Sequence, residues 1–218
     1  MYATLPTDRL SYTFDRRQLI PSKPNQLWLL EQGAVRTLSW NEQGTCIVLG
    51  YWGAGDVLGV PLSNLDPYQI QCLTTVKARC FSPSQWYGLS ESVYQHIHQT
   101  KEFFCIVRSD KIIERLQQFL IWLCGKFGRK VELGCFIDLR LTHQEIAESI
   151  GTSRVTISRF LSQFEQEGLI YRSGKDLTIS PALLKIDQFA SHSDYQCRFR
   201  ERKGIRNRQV KQDISRAL

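Results

Sequence analysis

The stretch that most restricts what this chain can fold into runs from Leu141 to Gly168, LTHQEIAESIGTSRVTISRFLSQFEQEG. It reads as two short helices joined by a tight turn. Thr142 and Glu145 stand in T-x-x-E spacing, so hydroxyl and carboxylate can each accept from an unpaired N–H at a helix start. Ile146, Ala147 and Ile150 supply a short apolar face. Gly151 can take the left-handed conformation that ends a helix at little cost. Thr152 or Ser153 can cap the helix that follows. In that helix Ile157, Phe160, Leu161 and Phe164 recur at i, i+3, i+4 and i+7, one buried stripe. Arg154, Val155, Ser158, Arg159 and Ser162 share another face. A helix with an apolar back and two arginines near its start suits the DNA major groove.

Beyond the second helix, Leu169–Arg172 and Leu177–Ile179 flank Ser173-Gly174-Lys175-Asp176. That pattern predicts a β-hairpin and makes the motif a winged one. Arg172 and Lys175, at and beside its tip, are expected to meet phosphates. Arg154, Val155, Ser158 and Arg159 are the expected base readers. Thr142, His143, Gln144, Thr152, Ser153 and Thr156 complete the expected DNA-contacting set.

The rest of the chain is consistent with a DNA-binding protein. The 218 residues suffice for one or two domains with real cores. Net charge is +7, but residues 198–218 alone hold eight Lys/Arg against two acids, so the remainder is close to neutral. The basic excess is thus a tail, and such tails often meet nucleic acid. Val210, Ile214 and Leu218 allow a short helix within it. The seven cysteines show neither C-x-x-C pairs nor zinc spacing. Several sit in apolar runs and read as small core residues, in a reducing compartment. No signal peptide or transmembrane run is evident, so a cytoplasmic protein without membrane contact is expected.

Residues 1–81 read as short strands with turns. Leu27–Leu30, Val35–Trp40, Cys46–Tyr51 and Ile70–Phe81 are the strand-rich stretches, and Asn41-Glu42-Gln43-Gly44 is a hairpin turn. A β-roll or barrel is the expected outcome. Ser82–Gly88 starts as a helical turn. From Ser90 to Gly125 the pattern is helical, with Phe104, Val107, Ile112, Leu116, Phe119, Leu120 and Leu123 as its apolar positions. One helix, or two in line broken near Arg108–Asp110, is expected to form a dimer seam. A short strand is expected within 129–140, and a further helix over Ala182–Ala190. The predicted fold is α+β, divided as 1–89 β-roll, 90–128 dimerisation helix, 129–181 winged helix-turn-helix and 182–218 basic extension.

With these elements laid out, the chain resembles the cyclic-AMP receptor protein/FNR family of bacterial transcription regulators, and most of all its cyanobacterial nitrogen-control type. The resemblance is carried by ERLQQFLIWLCGKFG (114–128), FIDLRLTHQEIAESIG (136–151), TSRVTISRFL (152–161) and GLIYRSGKDLTIS (168–180), with a looser match at GDVLG (55–59). It implies a homodimer with a jelly-roll sensor domain that binds a palindromic promoter site on double-stranded DNA. It also implies contact with RNA polymerase, as an activator or by obstruction.

The same resemblance implies an effector pocket at Gly55, Asp56, Leu58, Gly59 and Val60, with Arg115 from the following helix. The family's cyclic-nucleotide cassette carries an arginine for the cyclic phosphate, and here none lies between Gly59 and Lys77. A buried phosphate without a guanidinium is poorly compensated. Cyclic AMP dependence is therefore not expected, and 2-oxoglutarate loses the same partner. No cofactor or metal is expected. Catalytic signatures such as G-x-S-x-G or H-E-x-x-H are absent, so an enzyme is not expected. The competing expectation is an interaction module of cyclic-nucleotide-binding type, or a redox or haem sensor using Cys72, Cys80, His96 or His98, with DNA binding secondary.

Overall fold

The computed structural model describes residues 11–190. The basic tail 198–218 and the helix allowed over Val210–Leu218 lie outside the described residues.

The first part is a β-roll of two facing antiparallel sheets. Its strands are β1 (Ser11–Phe14), β2 (Leu19–Ile20), β3 (Leu27–Gln32), β4 (Ala34–Trp40), β5 (Cys46–Gly53), β6 (Val57–Leu58), β7 (Gln69–Cys72) and β8 (Val76–Phe81). One sheet runs β1-β8-β3-β6 and the other β2-β7-β4-β5. The β4–β5 hairpin forms where the turn residues predict it. Asn41 Oδ1 accepts from the N–H groups of Gln43 and Thr45 at 3.1 and 2.8 Å, an Asx-type turn. Gly33 joins β3 to β4 at φ 89°, and a Cβ there would lie 2.2 Å from the Thr75 carbonyl. Only glycine fits. The one-turn helix α1 (Val60–Ser63) follows β6, an element the sequence pattern did not predict.

The two faces of β4 serve different cores. Val35 packs inside the roll with Trp28, Trp52 and Ile70. Ala34 and Leu38 face outward, yet they are buried in a second, larger core shared with the C-terminal half. The strand alternates as a strand should, but both of its faces are covered.

A 3₁₀ segment, Pro83–Leu89, leads into α2 (Ser90–Val107) and then α3 (Ile112–Phe127). The expectation of one helix, or two in line, is corrected here. Phe103 of α2 packs on Trp122 of α3 with ring centroids 5.7 Å apart, and Gln99 bonds Lys126. Both pairs are symmetric about positions 112–113, just past the break, so α2 and α3 fold back as an antiparallel hairpin. Arg115 Nε donates to the Ser109 carbonyl, and the Ser109 hydroxyl donates to Gln118, bracing the turn. Consequently Phe103 and Ile106 are buried while Phe104 is 61% exposed. The aromatic rings of Tyr51, Phe103, Phe119 and Trp122 interlock where roll, α2 and α3 meet.

The C-terminal unit adds β9 (Gly128–Val131), β10 (Gly134–Ile137), α4 (His143–Ile150), α5 (Arg154–Gln166), β11 (Ile170–Ser173), β12 (Asp176–Ile179) and α6 (Pro181–Ala190). Its sheet runs β11-β12-β10-β9, so the wing is half of a four-stranded sheet. The β9–β10 hairpin also overturns one cysteine expectation. Cys124, at the end of α3, and Cys135, on β10, form a disulfide with Cα atoms 6.3 Å apart. Their spacing of 11 residues matches no motif. Only the hairpin's return brings them together. The buried thiol of Cys72 is pushed up to about 11, and burial also raises Cys46 and Cys80. These three are poor nucleophiles, as their apolar settings suggest.

Candidate nucleic-acid interface

The start of α4 forms as its sequence dictates. Thr142 Oγ1 accepts from the Glu145 N–H at 3.1 Å, and Glu145 Oε2 accepts from the Thr142 N–H at 2.7 Å. Gly151 ends the helix at φ 70°. Ser153 then caps α5 by accepting from the Thr156 N–H at 3.1 Å. Two helix starts and one left-handed glycine thus set the angle between α4 and α5.

On α5, Ile157, Leu161 and Phe164 are buried. Across the helix Arg154 and Arg159 are exposed, and Val155 is 78% exposed. Val155 thus stands open to solvent between the two arginines. The Arg159 guanidinium lies over the Phe160 ring at 5.1 Å. It forms no ion pair among the described residues. Ser158 is less available. Its hydroxyl donates to the Arg154 carbonyl and bonds His143 Nδ1 at 2.7 Å. Burial, then Arg172 and Arg154, hold the His143 pKa below its usual value.

A groove of about 510 Å³ runs between the start of α4, the start of α5 and the wing. Thr142, His143, Gln144, Arg154, Arg172 and Lys175 all line it, so residues up to 33 positions apart are gathered on one surface. Lys175 stands exposed at the wing tip, where Gly174 turns at φ 60°. Arg172 lines the groove but is already engaged. Its Nε and Nη2 donate to Glu165 of α5, the Nε at 2.9 Å, so it braces the wing against the recognition helix. Glu165 is correspondingly held below the usual carboxylate range by Arg172. Thr152, Ser153 and Thr156 sit on the turn and first α5 residues; Ser153 is the cap, and its hydroxyl also bonds the Thr156 hydroxyl at 2.9 Å.

The GDVLG loop is packed from within. Asp56 is 3% exposed. Its Oδ2 accepts from the Gly53 N–H and lies 2.8 Å from Lys126 Nζ, while Oδ1 accepts from Gln99. Val57 and Leu58 are fully buried. Lys126 also lies over Trp52, Trp122 and Phe127 at 5.1, 5.5 and 5.7 Å. Gly59 sits where a Cβ would meet the Gln26 carbonyl at 2.5 Å, and Val60 begins α1. Arg115 is not gathered with them. Its guanidinium bonds Ser109 and the Ile150 carbonyl at the end of α4. No local pattern points to the Asp56–Lys126 pair, whose partners are 70 positions apart.

His96 is fixed in the same region. Its ring stacks on Trp52 at 4.0 Å, and Nδ1 lies 2.9 Å from the Val57 carbonyl. A carbonyl can only accept, so Nδ1 carries the proton. Burial, the largest influence, lowers its pKa. The Val57 bond and Asp56 act in the opposite sense. A histidine depressed in the fold adds stability above its unfolded pKa of about 6.5 and loses it as pH falls below that value. Unfolding midpoints in urea are therefore expected to drop between roughly pH 7 and pH 5, and His96→Gln should flatten that slope. An equal slope in wild type and variant would show that other groups carry the pH dependence.

Fold and site together define a winged helix-turn-helix regulator with a sensor-type β-roll. The family model described as "Crp-like helix-turn-helix domain" matches residues 114–185. The "Regulatory protein CysR" of Synechococcus elongatus is 39% identical over 167 residues, covering 75% of this chain and 81% of that one. A "Global nitrogen regulator" of Synechocystis is 40% identical over 199 residues, covering 81% and 87%. A CRP-family transcriptional regulator from Thermus thermophilus shares the fold at TM-score 0.71 and 19% identity, covering 84% of this chain and 97% of that one. The chain belongs to the cyclic-AMP receptor protein/FNR family of transcription regulators. Its relatives and fold are those of regulators, not of enzymes. Among the described residues no helix is long and apolar enough to cross a membrane.

Proposed function

We propose that this regulator binds a palindromic promoter site on double-stranded DNA as a homodimer, without cyclic AMP. The observation that carries the reading is the exposed Arg154–Val155–Arg159 face of α5, with its apolar back buried. Arginine pairs bidentately with guanine, and a valine methyl suits a thymine methyl. Lys175 on the wing adds phosphate contact. Binding near a promoter in the cytoplasm then recruits or obstructs RNA polymerase, according to the position of the site. Fluorescence anisotropy on a two-fold site against scrambled DNA tests this. Equal affinity for both would refute it.

The dimer reading rests on α2. Tyr94, Ile97, Lys101, Phe104 and Arg108 follow the 3-4 spacing of a coiled-coil seam. Tyr94 is 54%, Ile97 47% and Phe104 61% exposed in the single chain. Ile97→Asp with Phe104→Asp is expected to give a folded monomer by sedimentation equilibrium, with specific DNA affinity lost. A variant that stays dimeric would place the seam elsewhere.

Independence from cyclic AMP follows from the missing arginine after Gly59 and from the occupied Asp56 carboxylate. A ligand at one hundred times its dissociation constant adds about 2.7 kcal/mol to stability. Millimolar cyclic AMP is expected to leave both the melting temperature and the DNA affinity unchanged, and a clear upshift would overturn this.

A further inference from the structure

A second cavity, of about 100 Å³, lies where the roll meets the start of α4. Arg16, Arg17 and Arg36 line it, and Glu145 is the one carboxylate among its lining residues. Gln71 and Thr142 supply further polar groups. With Glu148 paired to Arg36, three guanidiniums stand against two carboxylates, and the hollow keeps a net positive charge. It shares Thr142 with the groove beside α5, but none of its lining residues belongs to α5 or to the GDVLG loop.

The three arginines differ in what already holds them. Arg36 is 7% exposed. Its Nε donates to Gln71 Oε1 at 2.8 Å and its Nη1 to Glu148 Oε2 at 3.1 Å. Its Nη2 stands 3.8 Å from Glu145 Oε1, beyond hydrogen-bond reach. Glu145 is also committed to the cap of α4 through Oε2. Arg16 Nη2 donates to the Arg140 carbonyl at 2.9 Å, leaving its other donors. The Arg17 side chain makes no hydrogen bond or ion pair among the described residues. Its backbone is pinned beside the cavity, its N–H donating to the Cys72 carbonyl at 2.8 Å.

We infer that this cleft binds a small dianionic oxyanion. Guanidinium forks match carboxylate, phosphate and sulfate edges with charge-assisted bonds. Arg36 is already held by Gln71 and Glu148 and lies beside the Tyr51 hydroxyl, so it anchors the cleft, and the uncommitted donors of Arg16 and Arg17 are left for the ligand. The cavity volume limits the ligand to a small molecule or ion. Arg16, Arg17 and Arg36 come from the roll, and Thr142 and Glu145 from the DNA-binding unit. An anion seated between them ties the two units together. The site thereby links anion concentration to how α4 sits on the roll.

Calorimetric titration of the full chain with sodium sulfate, sodium phosphate and sodium succinate, at constant ionic strength against chloride, tests this. The expected result is saturable binding of at least one of the three at about one per chain, with a matching rise in melting temperature. The preference among the three separates a tetrahedral ligand from a dicarboxylate. Arg16→Ala with Arg17→Ala should weaken binding at least about tenfold. Arg17→Gln alone, at an exposed side chain, keeps the test valid if the double variant folds poorly. Absence of saturable heat with all three anions, or equal binding by both variants, would overturn the inference. Neither readout involves DNA, so failure here leaves the promoter-binding proposal standing.

Discussion

Lys126→Met is expected to lower the stability of the folded chain by about 3–5 kcal/mol, because it strands the Asp56 carboxylate in the interior. The two side chains are 11% and 3% exposed and 2.8 Å apart. So little exposure leaves the carboxylate poorly solvated once its partner is lost. The Gly53 N–H and Gln99 amide would still donate to Asp56, so the low end of that range is expected. For a domain of this size the melting temperature should fall by on the order of 10 °C. Asp56→Asn alone leaves the ammonium among Trp52, Trp122 and Phe127, whose ring faces attract a cation. It should therefore cost less than Lys126→Met. The double variant Asp56→Asn with Lys126→Met carries no buried charge here, and should recover part of the loss, as a double-mutant cycle in urea would measure. Additive losses would mean that the two groups do not interact. The pair also has a functional reading, since it ties the GDVLG loop of the roll to α3, the helix that leads into the DNA-binding unit. A variant that frees it should change DNA affinity as well as stability.

Arg159→Ala is expected to cost roughly 1–3 kcal/mol of specific binding at one guanine per half-site, and to relax preference there. Its guanidinium is exposed and has no carboxylate to compete for it among the described residues. With Val155 beside it, a GTA or TGT half-site is expected, repeated two-fold with half-site centres about one helical turn apart. Arg159→Lys keeps the charge but loses the planar fork. It should therefore retain the salt dependence of binding while losing base discrimination, since salt dependence counts neutralised phosphates. Random-site selection with the three proteins measures both effects. A selection that returned no palindrome, or an alanine variant with full discrimination, would sink the assignment of α5. Arg172 gives a contrasting expectation. Because it is bonded to Glu165, Arg172→Ala should act mainly by loosening the wing.

The sequence by itself determined the helix-turn-helix and the wing. The Thr142–Glu145 cap, the Gly151 turn, the Ser153 cap and the Ile157–Leu161–Phe164 stripe all involve partners within seven positions. Hydrogen bonds at that range follow from residue type and helical period, so they can be read without knowing the rest of the fold. The β4–β5 hairpin was legible for the same reason, through Asn41 and Gly44. Only the tertiary structure decided that α2 and α3 fold back on each other. Their apolar spacing suits a straight helix equally well, and the choice depends on Phe103 finding Phe119 and Trp122. Nor does any local pattern tell that Arg36 would meet Glu148, 112 positions away, that Asp56 would meet Lys126, or that Cys124 would meet Cys135. Such pairs depend on which surfaces the packed elements bring together. Arg172 shows the same limit within the site itself, where its position beside the wing tip was readable but its bond to Glu165 was set by the packing of the wing on α5.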